Sequence, residues 1–150
     1  MFCNNTRVFE RFLTVCRDWE SSNFVFRAIH SIAGSDGKNA IIHDRTKPGD
    51  TTSARVMRAL SSAAHQYDAL IVELTLPDVR SFNMICEIRK EFPRGLIVGL
   101  SQPGDFQQRV DALGAGADDV MDMYPGFGPE LVLRLQKLHV RMRDLALMVA

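Results

Sequence analysis

Short apolar runs alternate with helix-spaced apolar stripes along almost all of this chain, and that alternation leaves few folds open. Phe12-Leu13-Thr14-Val15-Cys16, Ala40-Ile41-Ile42-His43, Ala69 to Leu74 and Leu96 to Leu100 read as strands, with Val120-Met121 on a shorter fifth. Between them, Trp19 to Ala33 carries Phe24, Val25, Ala28, Ile29 and Ile32 on one helical stripe. Thr51 or Thr52 caps a second helix that buries Val56, Ala59, Leu60 and Ala63. A third, Phe82 to Phe92, turns Met84, Ile85 and Ile88 inward, and a short fourth runs from Asp105 to Ala112 with an acid at its positive end. Gly34-Ser35-Asp36-Gly37 and Lys47-Pro48-Gly49-Asp50 supply the breaks. Strand and helix in repeated order predict an α/β fold: a doubly wound, five-stranded parallel sheet with helices on both faces. At 150 residues the chain is expected to be a single domain, 1–150.

The last helix is the unusual one. Gly126, Gly128 and Pro129 introduce it, and from Pro129 to Ala150 it would run about 33 Å. Leu131, Leu135, Leu138, Met142, Leu145 and Val149 follow alternating spacings of four and three, a heptad seam, while Leu133, Val140 and Leu147 add a second line. Either the first turns pack on the sheet and the rest frays, or the distal part, about 139–150, leaves the domain and pairs with another helix. The second reading is favoured here.

Charge excludes several roles. Eighteen basic and eighteen acidic side chains cancel, so no overall field draws the domain to nucleic acid or an anionic membrane. Cys3, Cys16 and Cys86 are odd in number and lack paired spacing, which argues against a disulfide framework or zinc site and for a reducing compartment. His30, His43, His65 and His139 are scattered singly. The first residues do not form a signal peptide, and no apolar run reaches the roughly 18 residues needed to span a bilayer. A cytoplasmic protein without membrane contact is expected. No Gly-rich phosphate loop is present.

Tyr67-Asp68-Ala69-Leu70-Ile71-Val72-Glu73-Leu74-Thr75-Leu76-Pro77-Asp78, a buried strand and a tight loop, carries a more specific signal. Leu96-Ile97-Val98-Gly99-Leu100-Ser101 is a second strand ending in a hydroxyl, and Gly114-Ala115-Gly116-Ala117-Asp118-Asp119 closes a helix. Together these resemble the response-regulator receiver domain, a flavodoxin-like (βα)5 fold. The resemblance is strong from Tyr67 to Asp119 and weak before His43. It implies a phosphorylated aspartate at the end of the third strand, where this chain has Glu73.

The resemblance implies further chemical parts around that position, and most are altered. The acidic pair that would hold Mg²⁺ becomes Cys16 and Arg17, with Asp18 one place late. A thiol is a poor ligand for a hard cation, and arginine repels one. Glu73 sets its oxygens about 1.5 Å further out than aspartate would, and in-line attack does not tolerate that displacement. The hydroxyl after strand four survives as Ser101. Met123 or a neighbour stands where a lysine is implied, and no lysine lies between Lys90 and Lys137. Pro125, Val120 and Ser81 stand near the implied proline, switch aromatic and loop glycine. An ion pair between Arg17 and Glu73 is expected in place of metal and phosphate, with no metal, no cofactor and no enzymatic activity.

Arg109, Asp118, Asp119 and Arg134 resemble the charged set through which winged-helix regulators with such domains dimerise. The competing readings are solvated surface charge and, for Asp118 and Asp119, turn formation. The expectation is a homodimer through helix four, strand five and helix five, with Leu138, Met142 and Leu145 on the exposed seam. The implied role is a phosphorylation-independent pseudo-receiver that contacts a protein partner or effector domain, regulating transcription or positioning a bacterial assembly. The alternatives are the amino-terminal module of a winged-helix regulator or pilus-localisation ATPase, a receiver that still accepts phosphate, and an unrelated small-molecule binder on the same fold.

Overall fold

Each apolar run forms a strand, and a helix follows each strand. A computed structural model describes residues 11–33, 38–43, 51–62, 67–76 and 81–149. In chain order the elements are β1 (Arg11–Cys16), α1 (Trp19–Ala33), β2 (Lys38–His43), α2 (Thr52–Ser62) and β3 (Ala69–Glu73), then α3 (Ser81–Glu91), β4 (Leu96–Ser101), α4 (Phe106–Ala115), β5 (Asp119–Asp122) and α5 (Gly128–Val149). The five strands form one sheet in the order β2-β1-β3-β4-β5, with every pair parallel. The winding therefore reverses between β1 and β3. In open sheets of this kind a crevice opens there, at the carboxyl ends of the strands.

The sheet is covered on both faces, as an all-parallel sheet requires. Leu13, Val15, Leu70, Val72 and Ile97 meet Val56 and Leu60 of α2, Ile85 and Ile88 of α3, and Ala112 of α4 on one side. Phe12, Cys16, Ile71, Val98, Leu100 and Met121 meet Val25 and Ala28 of α1 and Leu131 and Leu135 of α5 on the other. Residues on each strand alternate between the two cores because successive side chains of a strand point to opposite faces.

Several boundaries differ from the expected ones. Lys38 and Asn39 extend β2, and Asp119 and Asp122 extend β5, because strand ends need only a main-chain neighbour; Ser101 lies opposite Asp122 in the register. The α4 helix passes Ala112 and Gly114 and ends at Gly116, whose φ of 120° frees its N–H for the Ala112 and Leu113 carbonyls. The expected turns at 34–37 and 47–50, the Pro77-Asp78 loop, Ala63 and His65 lie outside the described residues, as do the side chains of Trp19, Ile29, Ile32, His43, Ser81 and Met142.

Helix α5 packs on the sheet through its first turns and stays helical beyond them. Leu131 and Leu135 are fully buried and Leu138 is packed at the edge of the same core. Beyond them the segment stays helical to Val149, yet from His139 on no described side chain is buried.

Candidate functional site

Glu73 ends β3 at the crevice and is almost wholly buried, at 3% exposure. A buried carboxylate needs hydrogen-bond donors to offset its lost hydration. Here the Arg17 backbone N–H donates to Glu73 Oε2 at 2.5 Å, and the Thr75 hydroxyl donates to Oε1 at 3.0 Å. The expected Arg17–Glu73 ion pair is not formed: Arg17 is exposed and meets Glu73 through its main chain. The extra methylene of glutamate brings the carboxylate within reach of the amide that follows β1. A neutral donor in fixed position then does what a flexible guanidinium was expected to do.

The neighbouring residues are likewise engaged in structure. Cys16 is the last residue of β1 and fully buried. Burial pushes its thiol far above the usual cysteine range, and the negative charges of Glu73 and Asp18 push it further. It is a protonated packing group, without the thiolate that metal binding or nucleophilic attack requires. Asp18 accepts the Ser21 N–H at 2.9 Å through Oδ1, the bond of a helix cap at the start of α1. Among the described residues no group of three His, Cys, Asp or Glu side chains is placed to hold a metal ion.

Ser101, the retained hydroxyl at the end of β4, is fully buried and donates to Asp122 Oδ1 at 2.8 Å. The same oxygen accepts from Arg109 Nη2 at 2.6 Å. These donors, the Ser101 hydroxyl first and the Arg109 guanidinium next, hold the Asp122 carboxyl below the usual carboxylate range. Asp122 has no place among the expected site residues. Its signal was register alone, since it closes β5 opposite Ser101. Met123 follows half-buried against the α1–α5 core, with its N–H on the Ser101 carbonyl at 2.8 Å. At the three positions where a receiver's phosphoryl pocket is implied, the chain thus presents Glu73, an occupied Ser101 and an apolar Met123.

The charged set on α4, β5 and α5 is wired within the chain. Arg134 donates to Asp119 at 2.9 Å and to Glu130 at 3.1 Å. Asp118 accepts the Ile97 N–H at 2.8 Å and Arg89 Nη2 at 2.7 Å. Arg109, instead of meeting either aspartate, serves Asp122. Beside these charges α4 exposes Phe106, Val110 and Leu113, spaced along one helical face, and α5 exposes Leu145.

No family model matches this chain, and no curated protein matches it. Solved structures do share its fold. A response regulator receiver domain protein from Clostridium thermocellum superposes with a TM-score of 0.65 at 18% identity, over 90% of this chain and 98% of its own. The signal receiver domain of an HD domain-containing protein from Pseudomonas fluorescens Pf-5 gives 0.73 at 15% identity, over 95% of each chain. NtrX from Brucella abortus gives 0.70 at 15% identity, over 92% of this chain but 29% of NtrX. The fold is therefore the flavodoxin-like fold of response regulator receiver domains. No described helix is long and apolar enough to cross a membrane.

Proposed function

We propose that this chain is a pseudo-receiver: a signalling module that works through protein contacts, without phosphotransfer. The observation that carries this reading is the state of Glu73, held by the Arg17 amide and the Thr75 hydroxyl where a receiver's phospho-accepting aspartate is implied. A carboxylate bound on both oxygens in a buried position is neither placed nor free to attack phosphorus. Met123 at the lysine position and Asp122 on the Ser101 hydroxyl support the same reading, because a second carboxylate there repels an incoming phosphoryl group.

The contact surface in this proposal is the α4–β5–α5 face, where Phe106, Val110 and Leu113 are exposed beside internally paired charges. Its partners are a second copy of the chain and a protein partner or effector domain, attached or separate, in a cytoplasmic pathway that controls transcription or the positioning of a bacterial assembly. Nucleic acid is not bound directly, since the chain carries no net charge.

Incubation with Mg²⁺ and acetyl phosphate, followed by intact mass measurement, tests the proposal. The expected result is an unmodified chain and no saturable response to beryllofluoride by calorimetry. A phosphorylated residue, at Glu73 or elsewhere in the crevice, would make the chain a working receiver and overturn the reading.

A further inference from the structure

Four of the five helices are fastened to the sheet by branched apolar side chains: Val25 of α1, Leu60 of α2, Ile85 and Ile88 of α3, and Leu131 and Leu135 of α5 are all buried. Helix α4 buries only Ala112 and Ala115, while Phe106, Val110 and Leu113 stand outward at 74%, 62% and 46% exposure. Two alanine methyls remove little apolar surface from water, so α4 is held mainly by polar bonds. These gather at its start. Asp122 at the end of β5 accepts from Arg109 Nη2 of α4 at 2.6 Å and from the buried Ser101 hydroxyl at 2.8 Å. The Gly104 amide, in the loop before α4, reaches the same carboxylate. Gln108 adds a neutral tie: its Nε2 donates to the Leu74 carbonyl at 3.3 Å, and its Oε1 accepts the Gln102 N–H at 3.1 Å.

The other end of α4 is fixed differently. The carbonyl of Gly116, a residue at positive φ, accepts from Arg89 Nε at 3.0 Å and Nη2 at 2.7 Å. Arg89 belongs to α3, so this end stays with the body of the fold. The closed arrangement at the start is also incomplete. Arg109 Nε is buried with no hydrogen-bond partner among the described residues. A buried donor left unmet raises the closed state relative to an open one in which water reaches it.

We propose that α4 and the loop before it open as one unit, hinged at Gly116 and latched to β5 by Asp122. The proposal goes beyond the contact role above, since it holds whatever meets the outward stripe. Opening breaks the Arg109, Ser101 and Gly104 bonds to a single carboxylate and takes two alanines out of the core. Opening any other helix takes out at least one branched apolar side chain. The unit therefore lies at the low end of the local stabilities of this fold, and Phe106, Val110 and Leu113 move with it.

Native-state hydrogen exchange at rising urea tests the proposal. In the wild-type chain the amides of 110–115 are expected to exchange together, with a smaller urea dependence than the amides of β3 and β4. Asp122→Ala should speed exchange at 110–115 by about 10- to 100-fold, through the loss of charge-assisted bonds. Val25→Ala changes the core on the other face of the sheet. It should speed β3 and β4 and leave 110–115 at the wild-type rate, because α4 opens without breaking that core. Amides at 110–115 that follow Val25→Ala as closely as β3 and β4 do would show that α4 opens only with the whole fold. An unchanged rate at 110–115 in Asp122→Ala would place the latch elsewhere. Either result overturns the proposal. If Asp122→Ala does not fold, Arg109→Ala keeps Ser101 on Asp122 and is read in the same way.

Discussion

At the scale of single residues, the crevice is defined by which atom of each side chain is used. Arg17 contributes its amide to Glu73, so Arg17→Ala should change stability by no more than about 0.5 kcal/mol, as for ordinary surface positions. Glu73→Ala strands the Arg17 amide and the Thr75 hydroxyl and should cost about 1–3 kcal/mol. Glu73→Gln keeps one acceptor and should lie between them. Urea midpoints rank the three variants; an Arg17→Ala loss as large as that of Glu73→Ala would restore the guanidinium as the partner. The Asp122 network gives a pH signature. Bonds from Ser101 and then Arg109 hold its folded pKa below the unfolded value, so it stabilises the fold above the ordinary aspartate range and loses that contribution as pH falls through the folded pKa. Glu130, held down by Tyr124 and then by Arg134, acts in the same direction. Asp122→Asn should therefore lower stability near pH 6 and partly flatten its decline towards about pH 2.5. Denaturation midpoints across that range decide it, and a variant curve parallel to the wild type would remove Asp122 from the acid response. The positions of Cys16, Glu73, Ser101 and Met123 were legible in the sequence because strand ends are. Their partners were not: a backbone amide donates whatever residue bears it, and Asp122 is marked only by its place opposite Ser101.

At the scale of elements, one side chain joins three of them. Arg89 near the end of α3 donates to the carbonyls of Phe92 at 3.1 Å and Gly95 at 2.8 Å before β4, to the Gly116 carbonyl at 2.7 Å after α4, and to Asp118 at 2.7 Å before β5. Just before the β4–β5 ladder, Asp118 in turn accepts the Ile97 N–H through its carboxylate and donates its own N–H to the Ile97 carbonyl, both at 2.8 Å. Only a guanidinium presents donors in so many directions at once. Arg89→Lys is expected to cost about 2 kcal/mol despite keeping the charge, seen as a lowered urea midpoint with an unchanged slope. A loss too small to measure would mean that water replaces the fork. This corner also shows where sequence patterns stop being informative. Strand and helix identities followed from apolar period, since burial on two faces leaves long apolar runs. The end of α4 did not, because Gly114 and Gly116 look alike in sequence and only the second stands at positive φ, with the Arg89 side chain packed against it. Asp118, read as an interface charge or a turn former, is held by α3 in a contact between residues far apart in sequence.

At the scale of the whole molecule, the sheet and the end of α5 are separable. Leu131 and Leu135 anchor the helix in the α1–α5 core, and removing either buried leucine should cost about 2–5 kcal/mol. After Leu138 the helix is solvent-facing, so truncation there should shift stability by no more than about 1 kcal/mol. It removes the exposed Val140, Leu145 and Leu147 together. If α5 carries the self-association, the truncated chain should sediment as a monomer at concentrations where the full chain is dimeric, while its thermal unfolding remains cooperative and close to the original midpoint. A truncated chain that stays dimeric would move the contact to the exposed Phe106, Val110 and Leu113 of α4. Truncation that unfolds the sheet would instead show that the distal turns stabilise the core at a distance, because no described side chain beyond Leu138 is buried in it. The first two outcomes differ in sedimentation and the third in midpoint, so the two measurements on one variant decide which surface joins the copies.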